Sequence, residues 1–311
     1  MARPRNRLAD YAVYVGMRLF AMFVHMFSWR VNCHTARWLG GLAFRLDRHH
    51  RRIALEHLRL SFPDWPEARR RDVAKASMRS MVQFGMEFLF TPRVITPQRW
   101  REFLTLGSPA ENILLLTRRQ TGIIYVTGHF GNWEIVGYMM AILGFDGFAV
   151  ARPLDNPYLN RYVMGIRQRK GLTILDKKGA TERMDAILTS RRYVSFIADQ
   201  DAGRKGLFVD FFGRKASTNK APALMAMQYG LPLVVGYGLR LDDGFHFEIG
   251  VQRIIYPREW ADKDDPLYWL TQEYTAALED VARAWPEQYL WVHRRWKHRP
   301  RHAPPARDGV A

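Results

Sequence analysis

The chain has 311 residues, 48% of them hydrophobic, enough to bury a sizeable core and too apolar for a disordered protein. Its formal charge of +17 points to a polyanionic partner: nucleic acid, an anionic membrane surface or a phosphorylated substrate. The single cysteine, Cys33, excludes an internal disulfide framework and a thiolate zinc cluster.

Basic residues fall in scattered clusters (Arg3 to Arg7, Arg45 to Arg52, Arg69 to Arg71, Arg167 to Lys170, Arg294 to Arg301), which suits a broad charged face better than a DNA-reading helix. Tyr11 to Trp29 is apolar almost throughout, with Arg18 and His25 the ionisable interruptions. Its length is close to the ~20 residues that cross a bilayer core, but a central arginine is costly there. Arg18 and His25 share a helix face with Tyr11, Tyr14 and Met22, a pattern that suits an interfacial helix as well as a spanning one. No Ala-x-Ala-type cleavage site follows, so 1–30 reads as an N-terminal membrane-attachment helix. With no Gly/Ser/Pro-rich linker inside the chain, 31–300 reads as one catalytic domain and 301–311 as a flexible basic tail.

From Val31 to Phe90 apolar residues recur at helical spacing, and Pro63 and Pro66 divide the stretch into at least two helices. Strand-like and helical runs then alternate. Strands are expected at Ile123 to Val126, Phe148 to Val150, Leu172 to Leu175 and Tyr193 to Ile197, with an extended piece at Leu207 to Phe212. Helices are expected at Asn132 to Leu143, Asn156 to Lys170, Thr181 to Leu188, Lys220 to Tyr229 and Pro266 to Ala284. Leu233 to Leu239 and Phe245 to Val251 read as a hairpin turning at Asp242 to Gly244. The class is therefore α/β, a mixed central sheet flanked by helices on both faces.

The first strand runs into Gly128-His-Phe-Gly-Asn-Trp-Glu134. The C-terminal edge of a strand is where α/β sheets place reactive groups. Gly128 and Gly131 permit a tight turn, and Asn132 caps the next helix, which puts Glu134 in its first turn. A carboxylate five residues beyond a histidine can hold one ring nitrogen while the other acts as general base on a substrate hydroxyl. Hence His129 is the candidate base and Glu134 its orienting carboxylate. Backbone amides of Phe130 and Gly131 at the helix start are candidate oxyanion donors. The motif has no serine or cysteine, so direct attack by the acceptor hydroxyl is simpler than an acyl-enzyme.

The His-x4-Glu run resembles the signature of the lysophospholipid acyltransferase superfamily. More narrowly, it resembles the late acyltransferases of lipid A biosynthesis, the lauroyl/myristoyl transferases of Kdo2-lipid IVA. The resemblance spans about Tyr11 to Pro300. It includes Arg51 to Leu55, Leu60 to Pro63, Arg152-Pro153, Asn156-Pro157, Arg167-x-Arg169-x-Gly171, Asp199-Gln-Asp201 and Pro286 to Arg295. It implies a glycerolipid acyltransferase-like fold and a metal-free O-acyltransferase without cofactor, acting at the cytoplasmic face of the inner membrane. The donor would be an acyl thioester of acyl carrier protein, or of CoA, and the acceptor a phosphorylated glycolipid. Substrate contacts would come from Arg152, Asn156, Arg167 and Arg169, arginine being suited to bidentate phosphate recognition. Asp199, Gln200 and Asp201 would organise the loops or contact sugar hydroxyls. Relatives acting on phosphatidylinositol mannosides carry the same motifs, which leaves the acceptor open. A nucleic-acid-binding role rests on charge alone, and the apolar N-terminus argues against it.

Overall fold

A computed structural model describes residues 6–107, 121–145, 147–151, 153–168, 173–176, 180–242 and 244–300. Four helices open the chain: α1 (Arg7–His25), α2 (Trp29–Leu46), α3 (Arg48–Ser61) and α4 (Glu67–Val94). Side chains cap the first three: Asn6 accepts from Leu8 and Ala9, Ser28 from Val31, and Asp47 from His50. The second cap divides the apolar run expected as one helix, since Trp29 already begins α2. At Gly40 the backbones of α2 and α4 touch, and a Cβ there would lie 2.5 Å from the Arg79 Cα.

A short strand, β1 (Leu104–Leu106), precedes the alternating part of the chain. Next come β2 (Ile123–Thr127), α5 (Trp133–Ile142), β3 (Gly147–Ala151), α6 (Pro157–Gln168), β4 (Thr173–Asp176), α7 (Ala180–Thr189) and β5 (Tyr193–Ile197). Then follow β6 (Leu207–Phe211), β7 (Arg214–Thr218), α8 (Ala221–Tyr229), β8 (Leu233–Arg240), β9 (Phe247–Ile255), α9 (Pro257–Trp260) and α10 (Pro266–Ala284). The central sheet has seven strands in the order β1-β9-β8-β2-β5-β3-β4. All neighbours are parallel except the hairpin β8–β9. The expected mixed α/β sheet is therefore present. The extended piece at 207–212 forms a separate antiparallel hairpin, β6–β7, whose second strand and β1 the apolar pattern did not reveal.

β2 is buried along its whole length, and its alternation assigns its side chains to two apolar layers. Ile124 and Val126 join one layer with residues of α3, α4, α8 and α10. Ile123 and Tyr125 join another with residues of α1, α2 and α5. Helices thus cover both faces, and β2 at the centre is rigid. Its C-terminal end is the natural anchor for a reactive side chain.

Among the described residues no helix is long and apolar enough to cross a membrane. Helix α1 instead buries only Ala21 and Val24 and leaves Val13, Leu19, Phe20 and Phe23 exposed.

Candidate active site

Parallel pairing of β2 and β5 sets Thr127 opposite Ile197, so the chain leaves both strands at one edge. Two residues further on in each, His129 and Asp199 meet: His129 Nδ1 lies 2.7 Å from Asp199 Oδ1, and the His129 amide donates to Oδ2 at 2.8 Å. Burial pushes the Asp199 carboxyl upward, but the charge and hydrogen bonds of His129 outweigh it and hold the group below the ordinary carboxylate range. Trp133 packs against the imidazole at 4.7 Å between ring centroids. Gln200 Nε2 lies 3.4 Å from His129 Nε2.

The carboxylate at His129 Nδ1 is therefore that of Asp199, whereas Glu134 was expected there. Helix geometry carries Glu134 away from His129 and into the grip of Arg167, whose Nε lies 3.1 and 3.0 Å from the two carboxylate oxygens and whose Nη2 binds Oε1 as well. Arg167 was expected to contact substrate, and its Nε and Nη2 are instead engaged by Glu134. The pair lines an apolar pocket of about 70 Å³ beneath α5, together with Trp133, Met140, Ile174 and Phe196.

The loop that carries His129 is held by its backbone. Gly131 has φ +56°, and a Cβ there would strike the Gly238 carbonyl, so glycine is required twice over. The Gly131 amide donates to Gln288 O at 3.0 Å, and the Phe130 amide to Gly128 O at 3.0 Å. Both proposed oxyanion donors are thus committed to holding the turn. Asn132 caps α5 as expected, accepting from the Ile135 amide at 3.2 Å. Its own amide nitrogen donates to Glu87 Oε2 at 3.1 Å. Glu87 is in turn paired with Arg240, which also donates to Ser80 Oγ at 3.0 Å.

Asp199 and Asp201 engage different partners, His129 for the first and Gly203 and His298 for the second. The Asp201 carboxylate accepts from Gly203 and lies 2.6 Å from His298 Nδ1, and its amide donates to His293 Nε2 at 2.9 Å. Burial lowers the His293 pKa, which favours the neutral ring able to accept that bond. Arg295, only 2% exposed, donates to the Gln200 carbonyl at 3.3 Å and to Ser217 O and Thr218 Oγ1. The segment after residue 289 thus fixes the 199–201 loop from behind.

Asn156 was expected among the substrate contacts, but its side chain joins two helices. Its Nδ2 donates to Asp10 O at 2.8 Å and its Oδ1 accepts from Tyr158 and Leu159. Arg152 and Arg169 lie outside the described residues. Glu87, Arg240 and Gln288 were missed in the sequence. A carboxylate inside the apolar run Met86-Glu-Phe-Leu89 is the one local signal for the first of them.

Residues 3–298 match the profile of a family described as bacterial lipid A biosynthesis acyltransferase. The lipid A biosynthesis lauroyltransferase of Escherichia coli (strain K12) is 29% identical over 272 residues, 86% of this chain and 85% of that protein. The lipid A biosynthesis palmitoleoyltransferase of the same organism is 25% identical over 298 residues, 93% of this chain and 92% of its own length. A phosphatidylinositol mannoside acyltransferase of Mycolicibacterium smegmatis is 29% identical over 194 residues, 52% of this chain and 60% of that protein. A histidine–carboxylate pair at the edge of a rigid strand, beside an apolar pocket, fits what these matches show over nearly the whole chain: the protein belongs to the bacterial lipid A biosynthesis acyltransferase family.

Proposed function

We propose that the protein transfers a fatty acyl chain from an acyl thioester, acyl carrier protein being the donor that suits its basic surface, to a hydroxyl of a lipid A precursor or a closely related membrane glycolipid. His129 is the general base. Asp199 fixes the ring with Nδ1 protonated, so that Nε2, beside Gln200, takes the proton of the acceptor hydroxyl. The hydroxyl oxygen attacks the thioester carbonyl carbon, the carbon–sulfur bond breaks, and the departing thiolate receives the proton from His129. Glu134 holds Arg167 against the apolar pocket, leaving Arg167 Nη1 for the thioester carbonyl or an acceptor oxygen. Hydrocarbon lining suits that pocket to the first few methylenes of the acyl chain next to the thioester, at about 0.8 kcal/mol for each one buried.

The work would take place at the cytoplasmic face of the inner membrane. Support comes from α1, α2 and the turn between them, which leave Phe20, Phe23, Phe27, Val31 and Trp38 exposed, with Arg30 exposed as well. No linker or hinge separates these helices from the rest, since α2 packs on α4 and α1 contributes Ala21 and Val24 to a shared core.

The observation that carries this reading is the 2.7 Å contact between His129 Nδ1 and Asp199 Oδ1 at the shared edge of two parallel strands. Replacing His129 by Ala should abolish transfer to the glycolipid while the fold persists. Asp199→Asn should lower kcat by roughly 10²–10⁴-fold through loss of the correct tautomer. Measured with labelled acyl-carrier-protein thioester, near-wild-type turnover of His129→Ala would remove His129 from the mechanism, and near-wild-type turnover of Asp199→Asn would remove Asp199 as the group that orients it.

A further inference from the structure

Where α1 crosses α6, four tyrosines form an aromatic wall. Ring centroids are 5.3 Å apart for Tyr11 and Tyr158, 6.1 Å for Tyr14 and Tyr158, and 6.4 Å for Tyr14 and Tyr162. Arg18 lies over two of these rings, at 5.2 Å from Tyr162 and 5.9 Å from Tyr14, and donates to the Tyr14 hydroxyl at 3.0 Å. With Arg161 they line a groove of about 760 Å³, within the size range of small-ligand sites. No carboxylate lines it, and among the described residues none pairs with Arg18 or Arg161.

These features select a ligand. The ring faces already receive the Arg18 guanidinium, so they do not form a cage for another cation. Two arginines without carboxylate partners favour an anion with several oxygens, phosphate above all. Phenolic hydroxyls on apolar rings suit a group with both hydroxyls and a flat apolar face, as a sugar has. Met22 of α1 lines the groove and is exposed, and Ala21 and Leu89 line it as well, so whatever enters also lies against an apolar surface. An amphiphile with a polar, anionic head satisfies all three conditions.

The groove also leads towards the reactive centre. Ile166 lines both the groove and a narrow cleft that contains Glu134 and Arg167, and those two line the apolar pocket under α5. We propose that this α1–α6 groove seats the phosphorylated saccharide headgroup of the membrane-lipid acceptor, Arg18 and Arg161 holding the phosphate and the tyrosine rings the sugar. The assignment of the occupant as acceptor rests on the acyl-transfer reading above, whereas the binding itself does not.

Binding and transfer are therefore measured separately, on the full chain. Without donor, the protein is titrated with mixed micelles carrying a phosphorylated disaccharide lipid or its dephosphorylated counterpart. The wild type should prefer the phosphorylated lipid by roughly thirtyfold, from the strength of hydrogen bonds between charged groups. The double variant R18Q/R161Q should lose that preference, and R161Q alone should lose about fivefold of it on the same scale. Both side chains are exposed, and an unchanged thermal melt verifies the fold. With donor present, the double variant should show a higher KM for the phosphorylated acceptor. Equal binding of the two lipids by the wild type, or an undiminished preference in the double variant, would overturn the groove assignment. Displacement of the lipid by inorganic phosphate at matching concentration would also overturn it, by reducing the groove to an anion site. Absence of acyl transfer by a wild-type protein that binds as expected would instead overturn the transferase reading and leave the groove in place.

Discussion

Glu87–Arg240 and Glu134–Arg167 are built from the same two groups, and both meet the start of α5: Glu87 binds its cap, Asn132, and Glu134 lies in its first turn. Their surroundings differ. The Glu87 and Arg240 side chains are 0% and 6% exposed, whereas Glu134 and Arg167 are 14% and 22% exposed and line a pocket. In the first pair each group has a further polar partner, Asn132 for Glu87 and Ser80 for Arg240, so the charges form a closed network joining α4, β8 and the cap of α5. In the second pair the guanidinium keeps one nitrogen undirected, at the place where a substrate oxygen could meet it. Identical chemistry is thus sealed between elements in one place and opens on a cavity in the other.

The largest expected effect follows from the sealed pair. Glu87→Gln leaves Arg240 charged and buried without its counter-ion, a change that costs about 3–5 kcal/mol. Urea unfolding followed by far-UV circular dichroism should show that loss. A destabilisation below about 1 kcal/mol, the scale of an exposed pair, would mean that Glu87–Arg240 is not a brace and would erase the contrast.

The same contrast explains what was legible beforehand. The alternation of apolar runs located the central strands and the helices between them, because a buried parallel sheet leaves a strong local pattern. The motif placed His129 at a strand edge and Asn132 at a helix cap, both local consequences of sequence. The partner of His129 was not local. Five residues of spacing made Glu134 plausible, but a helix starting at Trp133 turns that side chain towards α6, and the strand register delivers Asp199 from 70 positions away. Pairing between neighbouring parallel strands was the available signal: two chemistry-bearing segments, each just past a strand end, share one edge once β2 and β5 are adjacent. Arg240, Gln288 and Arg295 had no such signal, since their role is to meet backbone and side chains far along the chain.

A buried ionisable group with no charged partner should behave differently again from the sealed pair. His57 is 7% exposed, and its Nδ1 lies 3.0 Å from the Trp291 carbonyl. Burial lowers its pKa from 6.5 to about 4, against the smaller opposing effect of that hydrogen bond. Below pH 6.5 the unfolded chain takes up a proton that the folded one refuses until about pH 4, so stability falls as pH drops through this window. The total is about 3 kcal/mol for a shift of this size. In His57→Asn the difference between urea midpoints at neutral pH and near pH 4 should shrink accordingly relative to the wild type. An unchanged pH dependence would show that His57 is protonated in the folded state.

The smallest change in free energy is expected at the open pair, and it should appear in turnover rather than in stability. In Glu134→Gln, Arg167 keeps one hydrogen-bond acceptor and remains hydrated at the pocket, so the unfolding free energy should change by no more than about 1 kcal/mol. The guanidinium is no longer clamped from two sides, however, and displacement of a positioning group by an ångström can cost about 10²-fold in rate. Thermal melts and steady-state kinetics on the same preparation separate the two quantities. A loss of stability matching that of Glu87→Gln, with turnover falling only in proportion to unfolded protein, would make Glu134–Arg167 a second brace. An unchanged kcat with intact stability would remove the pair from the reactive centre and leave His129 and Asp199 as its sole charged members. The outcome expected from the geometry, intact folding with a hundredfold slower transfer, holds only if the opening of this pair onto the pocket is what distinguishes it from its sealed counterpart.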